Sequence, residues 1–148
     1  IAPSAEMTGT VRTFDQERRE QIIQRLEQIV QHTCEMAGAT YELEYNRGYP
    51  AVQNEPAVTR LLTERARKVL GEENVDDDYP PNMGGEDFAY YLEHVPGAFL
   101  LLGAGPREGV GAPHHSPQFT IDEEALPLGV RILSSTALDL LGGSGVSE

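Results

Sequence analysis

Hydrophobic positions along this chain repeat with two periods, and the switches between them mark out its elements. Residues 6–14, Glu-Met-Thr-Gly-Thr-Val-Arg-Thr-Phe, are rich in β-branched side chains and predict a strand. Asp15 is a capping residue type. Beyond it Ile22, Ile23, Leu26, Ile29, Val30, Cys34 and Ala37 recur at three- and four-residue spacing, and Gly38 is placed to end the helix they predict. Over residues 40–46 the period drops to two, with Tyr41, Leu43 and Tyr45 on one face and Glu42 and Glu44 on the other, a strand with one wet side. Strand, helix, strand is half of a ferredoxin-like α/β sandwich, and so small a unit covers its apolar faces poorly.

Arg47-Gly-Tyr-Pro50 breaks the pattern and sets a boundary between residues 1–50 and 51–148. A second helix follows, with Val58, Leu61, Leu62, Ala66 and Val69 in one stripe and Gly71 at its end. Residues 72–78 form an acidic loop, Pro80-Pro81 enforces extended backbone, and Gly84-Gly85-Glu86-Asp87 opens a short helix that turns Phe88, Tyr91 and Leu92 inward. Ala98-Phe-Leu-Leu-Leu102 is a continuous apolar run, the pattern of a strand buried on both faces. Such a strand needs neighbours on each side, and only 118–121 offers one, so much of the sheet is expected to lie outside this chain. The last helix is predicted from about Glu123 to Leu141, capped by Asp122, stapled by Ile121 and Leu126, with Leu126, Val130, Leu133, Ala137 and Leu141 as its buried stripe. The Gly142-Gly-Ser-Gly tail is expected to be disordered.

Composition is globular, with 39% hydrophobic and 24% charged residues among 148, while 15 Gly and 10 Pro imply many turns. A formal net charge of −13 argues against nucleic acid and anionic membrane as partners, since both require basic patches. No segment approaches the roughly 20 apolar residues of a membrane span, and nothing at the start resembles a signal peptide. With Cys34 the only cysteine, no intramolecular disulfide forms, and a reducing cytoplasm is the expected location. Cys34 lies on the apolar stripe, where a free cysteine acts as a small hydrophobe. A start without Met suggests a chain that begins mid-protein.

Four places could carry chemistry. His114 and His115 sit in a Pro-bounded loop, but adjacent side chains in extended backbone point to opposite faces, so one metal would take one of them. His115, directly before Ser116-Pro117, is the better placed; an ordinary loop histidine remains the alternative. Gly84, Gly85 and Glu86 form a flexible loop at a helix start, suited to approach a ligand closely or simply to turn. Arg12 and Arg47 could each clamp a carboxylate through a bidentate pair, or be surface arginines.

Taken in order, residues 8–14 (Thr-Gly-Thr-Val-Arg-Thr-Phe), 46–52 (Asn-Arg-Gly-Tyr-Pro-Ala-Val), 83–90 (Met-Gly-Gly-Glu-Asp-Phe-Ala-Tyr), 99–103 (Phe-Leu-Leu-Leu-Gly) and 114–124 (His-His-Ser-Pro-Gln-Phe-Thr-Ile-Asp-Glu-Glu) resemble the C-terminal part of a metal-dependent amidohydrolase. The family resembled is that of hippurate hydrolase, plant auxin-conjugate hydrolases and related aminoacylases and carboxypeptidases. The resemblance implies an α/β fold, in which residues 1–50 are the second half of a ferredoxin-like lid that also mediates dimerisation. Residues 51–148 would then be the C-terminal segment of a dinuclear-metal peptidase-type catalytic domain.

It further implies His115 as a metal ligand, Gly84, Gly85 and Glu86 as a substrate-pocket loop, and Arg12 as a lid residue near the substrate. The implied cofactors are two divalent metal ions, with zinc, manganese, cobalt and nickel all open. The implied partners are a small N-acyl amino acid, the missing N-terminal portion and a second copy of the chain. The family's Cys-Gly-His-Asp motif, Glu-Glu pair, further His ligand and oxyanion histidine are not in this sequence, so no catalytic residue is expected here and the chain alone is expected to be inactive. A non-catalytic lid-like dimerisation module without metal is the alternative.

Overall fold

The computed structural model describes residues 2–142, which place the expected disordered tail beyond Gly142 outside the described residues. Two compact units form, one from the residues up to Val52 together with Pro81–Tyr90, the other from Gln53–Pro80 together with the residues from Tyr91 onward.

In the first unit α1 spans Gln16–Ala37, and both of its ends are fixed by local chemistry. The Asp15 carboxylate accepts the Arg18 N–H at 2.7 Å, satisfying one of the free donors of the first turn. At the other end Gly38 turns left-handed at φ 64°, its N–H donating to Glu35 O while the Ala39 N–H donates to Cys34 O. That pair of bonds is a Schellman closure, which an L-residue with a β-carbon would strain. The inward stripe of α1, Ile23, Leu26, Val30 and Cys34, is only half-buried.

The second unit is built on α2 (Pro56–Leu70) packed against α4 (Ala125–Leu141). Glu55 caps α2 by accepting the Val58 N–H at 2.7 Å, Pro56 occupies the first turn, where its missing N–H costs nothing, and Gly71 ends the helix. A single 3₁₀ turn, Glu72–Asn74, follows. Leu62 and Ala66 of α2 enclose Ile132 of α4, with Val69, Leu70, Val75, Ala98 and Leu100 packed around them. Arg65 and Asp139 form an ion pair across the same two helices. The short helix α3, Ala89–Leu92, carries the chain from one unit to the other.

Several expected elements take a different form. Among the described residues no backbone ladder forms, so residues 6–14, 40–46, 98–102 and 118–121 are not strands of a sheet, and Gln118 lies within a turn. A strand exists only by pairing with another, and the partners for these segments are not among the described residues. Tyr41 and Leu43 are accordingly exposed. The run at 98–102 is not buried on both faces: Ala98 and Leu100 pack against the core, whereas Leu101 is 59% exposed. Tyr91 faces out, and the buried residue of α3 is Ala89.

Helix α4 begins at Ala125 rather than Glu123, and buries Ala125, Ile132 and Thr136. Its expected stripe is the wrong one: Leu126, Val130, Leu133 and Leu141 are each more than half exposed, so no hydrophobic staple forms. The helix is apolar on two faces, and α2 contacts the other. Ile132→Ala should therefore cost about 2–5 kcal/mol in urea unfolding of this chain, and Leu133→Ala less than about 0.5 kcal/mol. Equal losses would contradict this packing.

Candidate metal-ligand turn and substrate loop

His114 and His115 stand at the centre of a tight turn in which the Ser116 N–H donates to Pro113 O at 3.2 Å. His115 occupies the third position with φ 65°, where a turn with one left-handed residue usually places glycine. It is the only residue other than glycine with positive φ among those described. A side chain held there costs on the order of 1 kcal/mol, and strain of this kind gathers at functional sites. The turn is locked on its far side, since the Ser116 hydroxyl donates to Gln118 Oε1 at 2.8 Å and the Phe119 N–H donates to Ser116 O at 3.0 Å.

The two histidines are separated by what their rings touch. Both are exposed, but His114 packs edge-on against Phe119, with centroids 5.0 Å apart and planes at 82°, whereas His115 makes no ring contact among the described residues. The loop that carries them is clipped at its base. The Asp122 N–H donates to Ala104 O at 2.9 Å, and Arg107 Nε donates to Asp122 Oδ2 at 2.6 Å. The Asp122 carboxylate also accepts the Glu124 N–H at 3.0 Å. Arg107 foremost, then that N–H, holds the Asp122 carboxyl below the usual carboxylate range. Asp122 is thus not the N-cap expected of it: α4 starts at Ala125 with Glu124 at the cap position and no side-chain cap bond, and Asp122 bonds the turn that precedes the helix.

The glycine loop belongs to the first unit. Asn82 Oδ1 accepts the Gly84 N–H at 2.8 Å, and a β-carbon at Gly84 would sit 2.9 Å from that oxygen, so the Asn82 side chain would have to shift to admit one. Gly85 lies against the Tyr49 ring, where a β-carbon would make ordinary contact at 3.4 Å. Tyr49 in turn meets Tyr90 edge to face at 5.7 Å, and the Tyr90 hydroxyl donates to Gly48 O at 3.1 Å. Glu86 accepts the Phe88 N–H at 3.2 Å. The structure therefore brings Gly85 and Tyr90 onto the Gly48–Tyr49 segment, while Gly84 and Glu86 bond within their own loop. The Tyr49–Tyr90 pair was not legible in the sequence, because its partners are 41 positions apart and neither sits in a periodic pattern.

The two arginines separate as clearly. Arg47 pairs in bidentate fashion with Glu20 of α1, its second contact at 2.8 Å, so its guanidinium is already engaged. Arg12 is exposed and makes no hydrogen bond or ion pair among the described residues. No group of three or more His, Cys, Asp or Glu among the described residues could hold a metal. A structural or catalytic centre needs three or four ligands, so the described part of the chain does not fit one by itself.

Comparison with known proteins supplies the frame for this geometry. Residues 3–139 match Peptidase family M20/M25/M40. The chain belongs to this family. It is 42% identical over 139 residues to a protein of Bacillus subtilis (strain 168) named as an amidohydrolase, YhaA, covering 93% of this chain and 35% of that protein. It is also 35% identical over 148 residues to the N-acetyl-L-cysteine deacetylase of the same strain, covering 100% of this chain and 34% of that protein. A third relative is IAA-amino acid hydrolase ILR1-like 4 of Arabidopsis thaliana, 32% identical over 143 residues, covering 93% of this chain and 32% of that protein. A solved structure described as an aminohydrolase from methicillin resistant Staphylococcus aureus superposes with a TM-score of 0.64 at 35% identity, covering 82% of this chain and 31% of that one. The chain thus spans about a third of the length of the curated relatives it matches. The M20 fold is shared over the length compared. Among the described residues no helix is long and apolar enough to cross a membrane.

The Arg47–Glu20 pair predicts a pH dependence. Arg47, by hydrogen bond and then by charge, lowers the Glu20 carboxyl pKa from its usual 4.5. The folded carboxyl therefore binds its proton more weakly than the unfolded one. Its stabilisation is complete above the unfolded value and fades as pH falls through the lowered one. In acid unfolding followed by circular dichroism, Glu20→Gln should be less stable than wild type at neutral pH, with the gap closing as pH falls below the usual carboxyl value of 4.5 and through the lowered one. A gap that is constant with pH would show that the pair contributes nothing.

Proposed function

We propose that the protein is a metal-dependent amidohydrolase that cleaves the amide bond of N-acyl amino acids, hippurate-like compounds among them. In this reading these 148 residues supply one metal ligand, His115, and part of the substrate pocket. The observation that carries it is the His115 turn, a histidine kept in a left-handed backbone conformation and without the ring contact that His114 makes with Phe119. Membership of the M20 family supports hydrolysis. The names of two relatives, a deacetylase of N-acetyl-L-cysteine and a hydrolase of IAA-amino acids, support an acyl amino acid as the substrate class.

The chain's own contribution is positioning. The turn closed by Ser116 fixes His115, and the clip at Asp122 fixes the loop that bears it. Gly84, Gly85 and Glu86, backed by Tyr49, form the loop that faces substrate, and the uncommitted Arg12 meets the substrate carboxylate. Arg47 holds Glu20 and is not the clamp. Divalent ions supply a Lewis acid and a more acidic water to such a hydrolysis. His115 is the one ligand proposed here, so the remaining ligands and the general base belong to polypeptide beyond these residues and the chain alone is inactive. A lid-like dimer contact through the first unit completes the proposal.

In the full-length protein, His115→Ala should lower bound zinc, manganese, cobalt or nickel, measured by inductively coupled plasma mass spectrometry, and nearly abolish release of amino acid from a panel of N-acyl amino acids. His114→Ala should be milder on both. Equal metal content in wild type and His115→Ala would refute the assignment.

A further inference from the structure

Tyr49 is half open to water, yet its backbone is fixed on both sides. Gly48 before it turns left-handed at φ 58°, a conformation that suits glycine, and the Gly48 N–H donates to Asn46 Oδ1 at 3.0 Å. Pro50 after it restricts Tyr49 to extended backbone. Arg19 of α1 donates through Nη2 to Tyr49 O at 2.6 Å, and the Tyr90 hydroxyl donates to Gly48 O at 3.1 Å. Two successive carbonyls are thus held by side chains 30 and 42 positions away.

The ring is held as well. Tyr90 meets it edge to face, with centroids 5.7 Å apart and planes at 78°. Gly85 lies at its rim, where a β-carbon would stand 3.4 Å from Tyr49 Cδ2, so glycine keeps that rim clear of side chain. What remains is open: Tyr49 is 47% exposed, and its hydroxyl has no hydrogen-bond partner among the described residues. Tyr41 and Tyr79 are also exposed, but among the described residues neither makes a ring contact or a side-chain hydrogen bond, as is ordinary for surface tyrosines. Tyr49 differs in being immobilised while still wet. Ordering a ring without covering it costs side-chain freedom for little buried surface, and a ligand that covers the ring then binds without that cost.

We propose that Tyr49 is a specificity-determining residue for the acyl half of the substrate and takes a flat aromatic acyl group, such as benzoyl, against its ring. The inference rests on the reading of the protein as a hydrolase of N-acyl amino acids with Gly85 in its substrate loop. Chemistry divides the substrate. The amino-acid half carries a carboxylate, which a cation such as Arg12 recognises. The acyl half carries no charge, so apolar contact and ring geometry are what distinguish one acyl group from another. An aryl group meets a tyrosine ring offset-stacked or edge-on, as Tyr90 already does, whereas an acetyl group is too small to cover it. Arg19 and Tyr90 act as positioning residues through the two carbonyls they hold.

The test is isothermal titration calorimetry on the full-length protein, stripped of metal so that ligand binds without turnover, with N-benzoylglycine and N-acetylglycine as the two probes. Wild type should bind the benzoyl compound about tenfold more tightly. Tyr49→Ala should lose most of that preference, and Tyr49→Phe should keep it, since the ring is the part used. A purely structural Tyr49 would weaken both probes alike and leave their ratio unchanged. An unchanged ratio in Tyr49→Ala, no preference in wild type, no binding of either probe, or a loss that follows the amino acid across N-acetyl glycine, alanine and phenylalanine would each overturn the proposal. Hydrolysis of the two probes by metal-loaded wild type is scored separately. A Tyr49-dependent benzoyl preference without hydrolysis leaves the acyl subsite standing and counts against the proposed function; hydrolysis without that preference does the reverse.

Discussion

Ile132 is the one large side chain wholly removed from water among the described residues, and the second unit is arranged around it. Its contacts with Leu62 and Ala66 fix α4 on α2, and the Arg65–Asp139 pair ties the same helices further along. Once these two helices are set, the position of Leu100 is set, because it packs on their joint surface. So is the run that contains it, and so is the loop that leaves the run at Ala104 and returns at Asp122 bearing His115. A strained turn can present a histidine only if its base does not move, and here the base is tied to the run and to the start of α4.

The helices were legible because their signals are local. Asp15, Gly38, Pro56 and Gly71 act on their own turns, and no distant residue can change what a cap or a left-handed glycine does to the backbone. Strands were not legible to the same degree. The alternation at 40–46 and the apolar run at 98–102 state a wish to pair and to be covered, and whether they succeed is decided by residues elsewhere in space. The failure on α4 has the same origin. Leu126, Val130 and Leu133 form as good a stripe as Ala125, Ile132 and Thr136, and only the location of α2 chooses between them.

The candidate site divides along similar lines. His115 could be singled out by its neighbours in sequence, and its left-handed backbone and its difference from His114 emerged only with the turn and the Phe119 ring in place. Gly84 is held by Asn82, two positions away, whereas Gly85 gains its place from Tyr49, far along the chain. Arg12 and Arg47 look alike as sequence, and the distant Glu20 is what removes Arg47 from consideration as a substrate clamp. The exposed apolar flank of α4 and the one-sided pairing of the run at 98–102 are both features whose sequence signal was local and whose outcome depends on residues distant from them.

Residue-resolved amide hydrogen exchange on the isolated chain tests the one-sided pairing of this run most directly. The account predicts that the Phe99 amide, bonded to Asn54, is protected while those of Leu100 and Leu102 exchange at nearly the rate of unstructured backbone. Strong and equal protection across 98–102 would mean that the run is already a finished strand, and would contradict it.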